Sequence, residues 1–172
     1  VKCQGNLRWV FAMKLTRLAT ALVVSSVLLP AATRYVWMSS PSPASPYTTW
    51  ETAAHTIQDA VDAAAAGDTV IVTNGTYATG GAVSPGHENT NRVVIAHPIT
   101  VRSVNGPLPT TIQGAGPVSL GAIRCAYLSD GATLSGFTLY EGHTSTRGSF
   151  EDSYGGGAYV SVPSWQRSTP QR

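Results

Sequence analysis

Carboxylates are the groups in this chain with the widest chemistry open to them. In pairs they pass protons across a glycosidic bond, and in clusters their oxygens hold Ca²⁺. Asp59, Asp62 and Asp68 sit in a helical pattern and its exit, and Asp130 sits in a turn next to Gly131. Glu141, Glu151 and Asp152 remain, flanking a loop. Glu151 and Asp152 meet Asp130 at a Ca²⁺ site only if that loop folds back onto the turn.

The other reactive types form no motif. His55, His87, His97 and His143 lack the short spacing of a zinc site, and none lies in an HExxH helix. His87-Glu88 reads as a solvated loop pair. Gly155-Gly156-Gly157 is not followed by GK[ST], and Gly114-Ala115-Gly116 is equally bare of a phosphate-loop context. No serine is framed by GxSxG. Asn74-Gly75-Thr76 matches a glycosylation sequon, which a turn explains as well. Cys125 lies in the apolar run Ile123 to Leu128 and reads as a small core residue. No catalytic, cofactor-binding or metal-ligating residue is assigned.

The elements that would have to position such groups are clearest between Thr56 and Tyr77, TIQDAVDAAAAGDTVIVTNGTY. Ile57, Ala60, Val61 and Ala64 recur every three or four residues and predict one apolar helical face, with Gln58, Asp59 and Asp62 elsewhere on the wheel. Gly67 is placed to end the helix. Thr69 to Val72 is a β-branched run, and Asn74-Gly75 turns the chain. Thr69-Val70 with Asn74-Gly75 matches Thr100-Val101 with Asn105-Gly106 at an offset of 31, and Thr133-Leu134 echoes them 33 further on. A period of this size in strand-rich units predicts a β-solenoid, each coil stacking on the next.

Tyr35-Val36-Trp37 is a candidate first strand, and SSPSPASP (Ser39 to Pro46) a loop without a packing signal. Tyr47 and Trp50 read as aromatics that seal the end of the core rather than as a sugar-stacking platform. Ala78 to Asn91 predicts a polar loop projecting from the stack. Strands follow at Arg92 to Ile95, Ile99 to Val104, Thr110 to Gln113, Ala122 to Leu128 and Ala132 to Tyr140, and Gly155 to Tyr159 starts another coil. About three coils result, followed by an irregular tail from residue 161. An uncovered last coil reads as the N-terminal piece of a longer protein, or as an edge that pairs with a partner.

These residues resemble the N-terminal end of right-handed parallel β-helix repeat proteins of the pectin-lyase-like superfamily, in particular large secreted bacterial ones. The likeness rests on Arg34-Tyr35-Val36-Trp37, Tyr47-Thr48-Thr49-Trp50, Thr56 to Tyr77, ITVRSVNGP with TIQG, LSDGATLSGFTLYEG and Gly155-Gly156-Gly157, and it spans about Arg34 to Val160. It implies an all-β fold, a right-handed parallel β-helix whose short amphipathic helix caps the open end. Active members are polysaccharide lyases, with Ca²⁺ on acidic residues and an Arg base, or hydrolases with paired carboxylates. No such motif carries over to a position here, so Ca²⁺ is implied only by the resemblance and no cofactor is expected.

Residues 1 to 33 read as an upstream extension and a signal peptide. Met13 is the expected start, Lys14 and Arg17 the basic region, Leu18 to Leu29 an apolar run of 12, and Pro30 to Thr33 the small residues before cleavage near Arg34. The run is shorter than the roughly 20 residues of a membrane span. From Arg34 onward there are seven Arg, no Lys and nine acidic residues, a balance of −2 against +2 for the whole chain. Nucleic-acid binding therefore lacks its electrostatic footing. Cys125 is then alone, so no intrachain disulfide forms.

The expectation is a secreted or surface-displayed β-helix segment, acting as a scaffold or a glycan-binding, adhesin-like surface without catalysis of its own. Its partner is then a polysaccharide or cell-surface glycan. Two alternatives stay open. One is the N-terminal cap of a polysaccharide lyase or glycoside hydrolase. The other is an interaction domain whose open edge augments a partner's sheet.

Overall fold

A computed structural model describes residues 30–119, 121–146 and 150–161. The expected start at Met13, the basic residues Lys14 and Arg17, the apolar run to Leu29 and the tail from 162 lie outside the described residues.

The elements in chain order are β1 (Thr33–Val36), α1 (Ile57–Asp62), β2 (Thr69–Val72), β3 (Gly75–Tyr77), β4 (Ala82–Val83), β5 (Thr90–Ile95) and β6 (Thr100–Ser103). They continue with β7 (Thr110–Gln113), β8 (Ile123–Leu128), β9 (Thr133–Ser135), β10 (Thr138–Tyr140), a 3-10 turn (Phe150–Ser153) and β11 (Ala158–Val160). They stack as three sheets, ordered β1-β2-β6-β9, β3-β7-β10 and β4-β5-β8-β11. Among the described residues every strand pairing is parallel except the β4–β5 hairpin, and an isolated antiparallel bridge joins Ala115 to Ile123. The chain visits the three faces in turn, so three coils stand on a first rung made by β1. The fold is a parallel β-solenoid of about four turns, closed over one short helix.

The register explains the repeat. Thr69 pairs with Thr100 and Thr100 with Thr133, and Val70–Val101–Leu134 stack one above the other. Val70 and Val101 are fully buried, and Leu134 packs against the same core. Each fully buried Val contributes about 1.5–3 kcal/mol, which is why the same residue type recurs at the same inward position. Thr33 joins the outer column, giving four stacked threonines. Face three adds Val93 over Ala126 and Ile95 over Leu128. The coils are unequal, however: the offset of 31 on the first face becomes 35 on the second, where Gly75 pairs with Thr110.

Several local expectations are corrected. Strand β1 begins at Thr33 and ends at Val36, so Trp37 lies beyond it. Helix α1 ends at Asp62 with Ala63 as its C-cap, well before Gly67. So short a helix is held by packing rather than propensity, and here the N–H of Ala65 donates to Asp68 Oδ2 at 2.9 Å. Gly67 does take a left-handed conformation (φ 90°), in the turn that follows, and its N–H donates to the Pro98 carbonyl. Ile57, Ala60 and Val61 are buried as expected, but so is Gln58. The Pro/Ser loop is exposed apart from Ser40 but tied down by hydrogen bonds: buried Ser40 donates to the Ala53 carbonyl at 2.6 Å, and the N–H groups of Ser42 and Ala44 donate to the Glu51 and Thr52 carbonyls. Ala78 to Asn91 does not project. Part of it pairs with β5 as β4, and Ser84, Asn89 and Asn91 are buried.

Candidate functional site

The carboxylates are dispersed by the fold. Asp59 and Asp62 are exposed on α1, and Asp62 accepts from Gln58 Nε2 at 2.7 Å. Asp68 is buried beneath the first rung. Its Oδ1 accepts from the Ala32 N–H at 2.6 Å, and its Oδ2 pairs with Arg34 Nη2 at 3.0 Å. Burial pushes this carboxyl up, but the Ala65 and Ala32 N–H groups and the Arg34 guanidinium outweigh it and hold it below the ordinary value. Glu141 accepts from Gln113 Nε2 at 2.8 Å, and its charge and hydrogen bond raise the exposed Tyr140 phenol.

Asp130 and Asp152 do not meet. Asp130 follows the C-terminal end of β8, whereas Asp152 lies in the field of Arg124, near the strand's N-terminal end. Ser145 and the 3-10 turn therefore lie against the β4–β5 hairpin, not against the Asp130 turn. Among the described residues no group of three or more His, Cys, Asp and Glu is arranged to hold a metal ion.

His87 is also placed differently from expectation. It is not a solvated loop residue: its Nδ1 lies 3.2 Å from Asp152 Oδ1, and its ring packs 5.7 Å from Tyr127 and 5.5 Å from Tyr159. Tyr127 and Tyr159 stack on each other across one rung at 5.9 Å. Arg124 is 1% exposed. Its Nη2 donates to the Tyr154 carbonyl at 2.7 Å, its Nη1 to Asn91 Oδ1 at 3.3 Å, and its guanidinium lies over the Tyr159 ring. Burial lowers this guanidinium from its ordinary value, with Asp152, Tyr159 and Tyr127 acting the other way. Buried Asn89 bonds both Asp152 and Ser145. These groups tie the hairpin and the 3-10 turn onto the third face. Cys125 is fully buried, as expected of a core residue, and burial raises its thiol.

An opening in the surface lies elsewhere among the described residues. Trp37, Trp50, Thr73, Asn74, Val104 and Asn105 line a cleft of about 320 Å³. The backbone continues in register beyond the first sheet, with the Thr73 N–H donating to Val36 and the Val104 N–H to Val72. Trp37, Thr73 and Val104 therefore occupy one outward column on three successive rungs. Asn74 and Asn105 form the next column, and Asn105 Nδ2 donates to Asn74 Oδ1 at 2.9 Å. Trp50 closes the other side, its ring centroid 4.4 Å from that of Tyr35.

Tyr47 does pack against the core, but Trp50 remains 39% exposed and Trp37 38%. Trp50 is thus a wall of the cleft rather than a seal on the core. The Thr73 hydroxyl is taken up internally, by the Val36 carbonyl and the Tyr77 hydroxyl. Indole faces, a valine and two primary amides make a surface for flat apolar faces edged with hydroxyls. None of the lining residues is ionisable, so the cleft itself carries no general acid or base. The signal for it was present in the sequence as the Asn-Gly repeat, read there only as a turn.

No family model, curated protein or solved structure matches this chain.

Proposed function

We propose that this chain is part of a secreted or surface-displayed β-solenoid that binds carbohydrate on its outer surface and performs no catalysis in this segment. The observation that carries the reading is the cleft between Trp37 and Trp50, edged by Asn74 and Asn105. Tryptophan covers the apolar face of a ligand at low conformational cost, and amides meet hydroxyls as both donors and acceptors. The coil stack supplies a rigid floor for such a site. Membership of the pectin-lyase-like superfamily is supported by three-faced parallel coils and a helix over the first of them. Export is supported by the basic and apolar pattern of Lys14 to Thr33, and no described helix is long and apolar enough to cross a membrane.

The test is co-sedimentation of the purified chain with insoluble polysaccharides, alongside Trp50→Ala. The expected result is retention that Trp50→Ala abolishes while circular dichroism is unchanged. Absence of retention on any polysaccharide, or retention indifferent to Trp50→Ala, overturns the reading.

A further inference from the structure

We infer that the cleft takes an uncharged pyranose chain running along the solenoid axis, with its rings on Trp37 and Trp50 and its hydroxyls on the amides of Asn74 and Asn105. This rests on the carbohydrate-binding reading above and names the class of saccharide and its direction.

Direction follows from the columns. Trp37, Thr73 and Val104 lie on three successive rungs, so the floor is elongated parallel to the stack. Adjacent rungs of a parallel sheet are about 4.8 Å apart, so this floor spans about 10 Å. The asparagine ladder runs the same way, one side chain per rung. A linear chain laid across the coils would leave the ladder after one residue; laid along them, it meets an amide on each of two rungs. The ladder stops there because the next corner is shorter: β9 ends at Ser135, Gly136 lies over Ser103, and β10 begins at Thr138.

Charge follows from the lining. A uronate chain would bring a carboxylate against indole and valine surface with no counter-charge among the lining residues, and burying an unpaired charge is costly. Neutral hydroxyls need only what Asn74 and Asn105 offer. Their mutual hydrogen bond uses one donor and one acceptor, leaving Asn74 Nδ2 and Asn105 Oδ1 at an exposed rim. Neither indole N–H donates within the protein among the described residues, so both are available to ring oxygens or hydroxyls. Arg102 lies two residues before Val104 on the same outward face, outside the lining. It is the cation an acidic chain would use and a neutral one would not.

The test is titration calorimetry on the full chain, made in a host that does not glycosylate Asn74. Gluco-, manno- and xylo-oligosaccharides of increasing length are compared with oligouronates of equal length, with and without Ca²⁺. Neutral oligomers are expected to bind, with affinity rising to about three residues and then levelling. Trp37→Ala and Trp50→Ala should each weaken binding about ten-fold, and Arg102→Ala should leave it within about two-fold. Preference for uronates, a Ca²⁺ requirement, a loss on Arg102→Ala, or affinity indifferent to length overturns this inference and leaves the carbohydrate reading standing. Failure of both saccharide classes to bind overturns the two together. Leu108→Ala, at a side chain 96% exposed outside the cleft, should match the parent chain.

Discussion

The side-chain amide of Gln58 takes the place of a missing strand beside Val94. Its Oε1 accepts from the Val94 N–H at 2.7 Å, and its Nε2 donates to the Val94 carbonyl at 3.3 Å. Strand β5 is paired with β8 on one side, while β4 covers only Thr90 and Asn91 on the other. The rest of that edge would be buried beneath α1 with its polar groups unmet. One glutamine on the helix satisfies both groups of Val94, and this is how a six-residue helix caps a solenoid.

Gln58→Ala should therefore destabilise the chain by about 1–3 kcal/mol, because it strands a buried N–H and C=O rather than merely removing a contact. Urea denaturation followed by circular dichroism reads this as a lower midpoint. Gln58→Glu keeps an acceptor for the N–H but sets a buried carboxylate against the Val94 carbonyl and beside Asp62, and should lower the midpoint at least as far. A midpoint unmoved by Gln58→Ala would show that the edge is satisfied in another way.

Asp68 gives the fold an acid-sensitive base. A carboxyl whose folded pKa lies below its unfolded value stabilises the folded state fully above the unfolded value, and that contribution is lost as pH falls through the folded one. For Asp68, held down by Ala65, Ala32 and Arg34, the loss belongs below about pH 4. Asp68→Asn should cost about 1–3 kcal/mol at pH 7. The gap between variant and parent should narrow as pH is taken from 4 downward, measured as denaturation midpoints at each pH. A gap that stays constant through that range would mean the charge of Asp68 contributes nothing.

Arg124 sits where Asp152, Asn91, Tyr154 and Tyr159 converge. Removing one member of a buried charge cluster costs about 3–5 kcal/mol, since the remaining charge keeps its desolvation penalty. Arg124→Met preserves much of the volume and should lower the melting temperature sharply. Arg124→Met with Asp152→Asn should recover part of the loss, because the buried negative charge that Arg124 offsets is removed as well. Equal melting temperatures for the single and double variants would indicate that packing, not charge, holds the cluster.

The proposed export sets a demand on where the leader is removed. The Ala32 carbonyl accepts from the Thr69 N–H at 2.9 Å, its N–H donates to Asp68, and Thr33 is already in β1. Exported protein that keeps this rung should begin at or before Ala32, two residues earlier than cleavage at Arg34. N-terminal sequencing of any chain recovered outside the cell, as the proposed export requires, reads this directly. A mature terminus at Arg34 in a protein of unchanged stability would show that these contacts are dispensable.

How far the fold could be read in advance depends on how local its causes are. The Val70–Val101–Leu134 column was visible because each coil must offer an apolar residue at the same inward position, and β-branched runs between turn residues announce where that position falls. Gly67 and the Asn-Gly corners were visible because positive φ favours glycine. Gln58 was not visible: by type it belongs on a solvated face, and only the bare edge of β5 brings it inside. His87 and Asp152 are 65 residues apart and meet because the hairpin and the 3-10 turn fold over the same face. The insertion from Ala78 to Asn91 has the composition of a projecting loop, but its buried asparagines bond one another and their neighbours in ways that composition does not reveal.

The same division runs through the cleft. Residue order alone determined that parallel rungs would stack with a period near 31, because periodic burial and turn chemistry act over a few residues at a time. Which outward residues became neighbours was decided by tertiary structure. Trp37 and Trp50 share a cleft because the hydrogen-bonded Pro/Ser loop returns Trp50 against Tyr35. Asn74 and Asn105 touch because the first face keeps its register through that corner, while Gly106 to Pro109 absorb the extra length before β7. Loop length and edge satisfaction are properties of the assembled stack, and they turned a repeat into a surface.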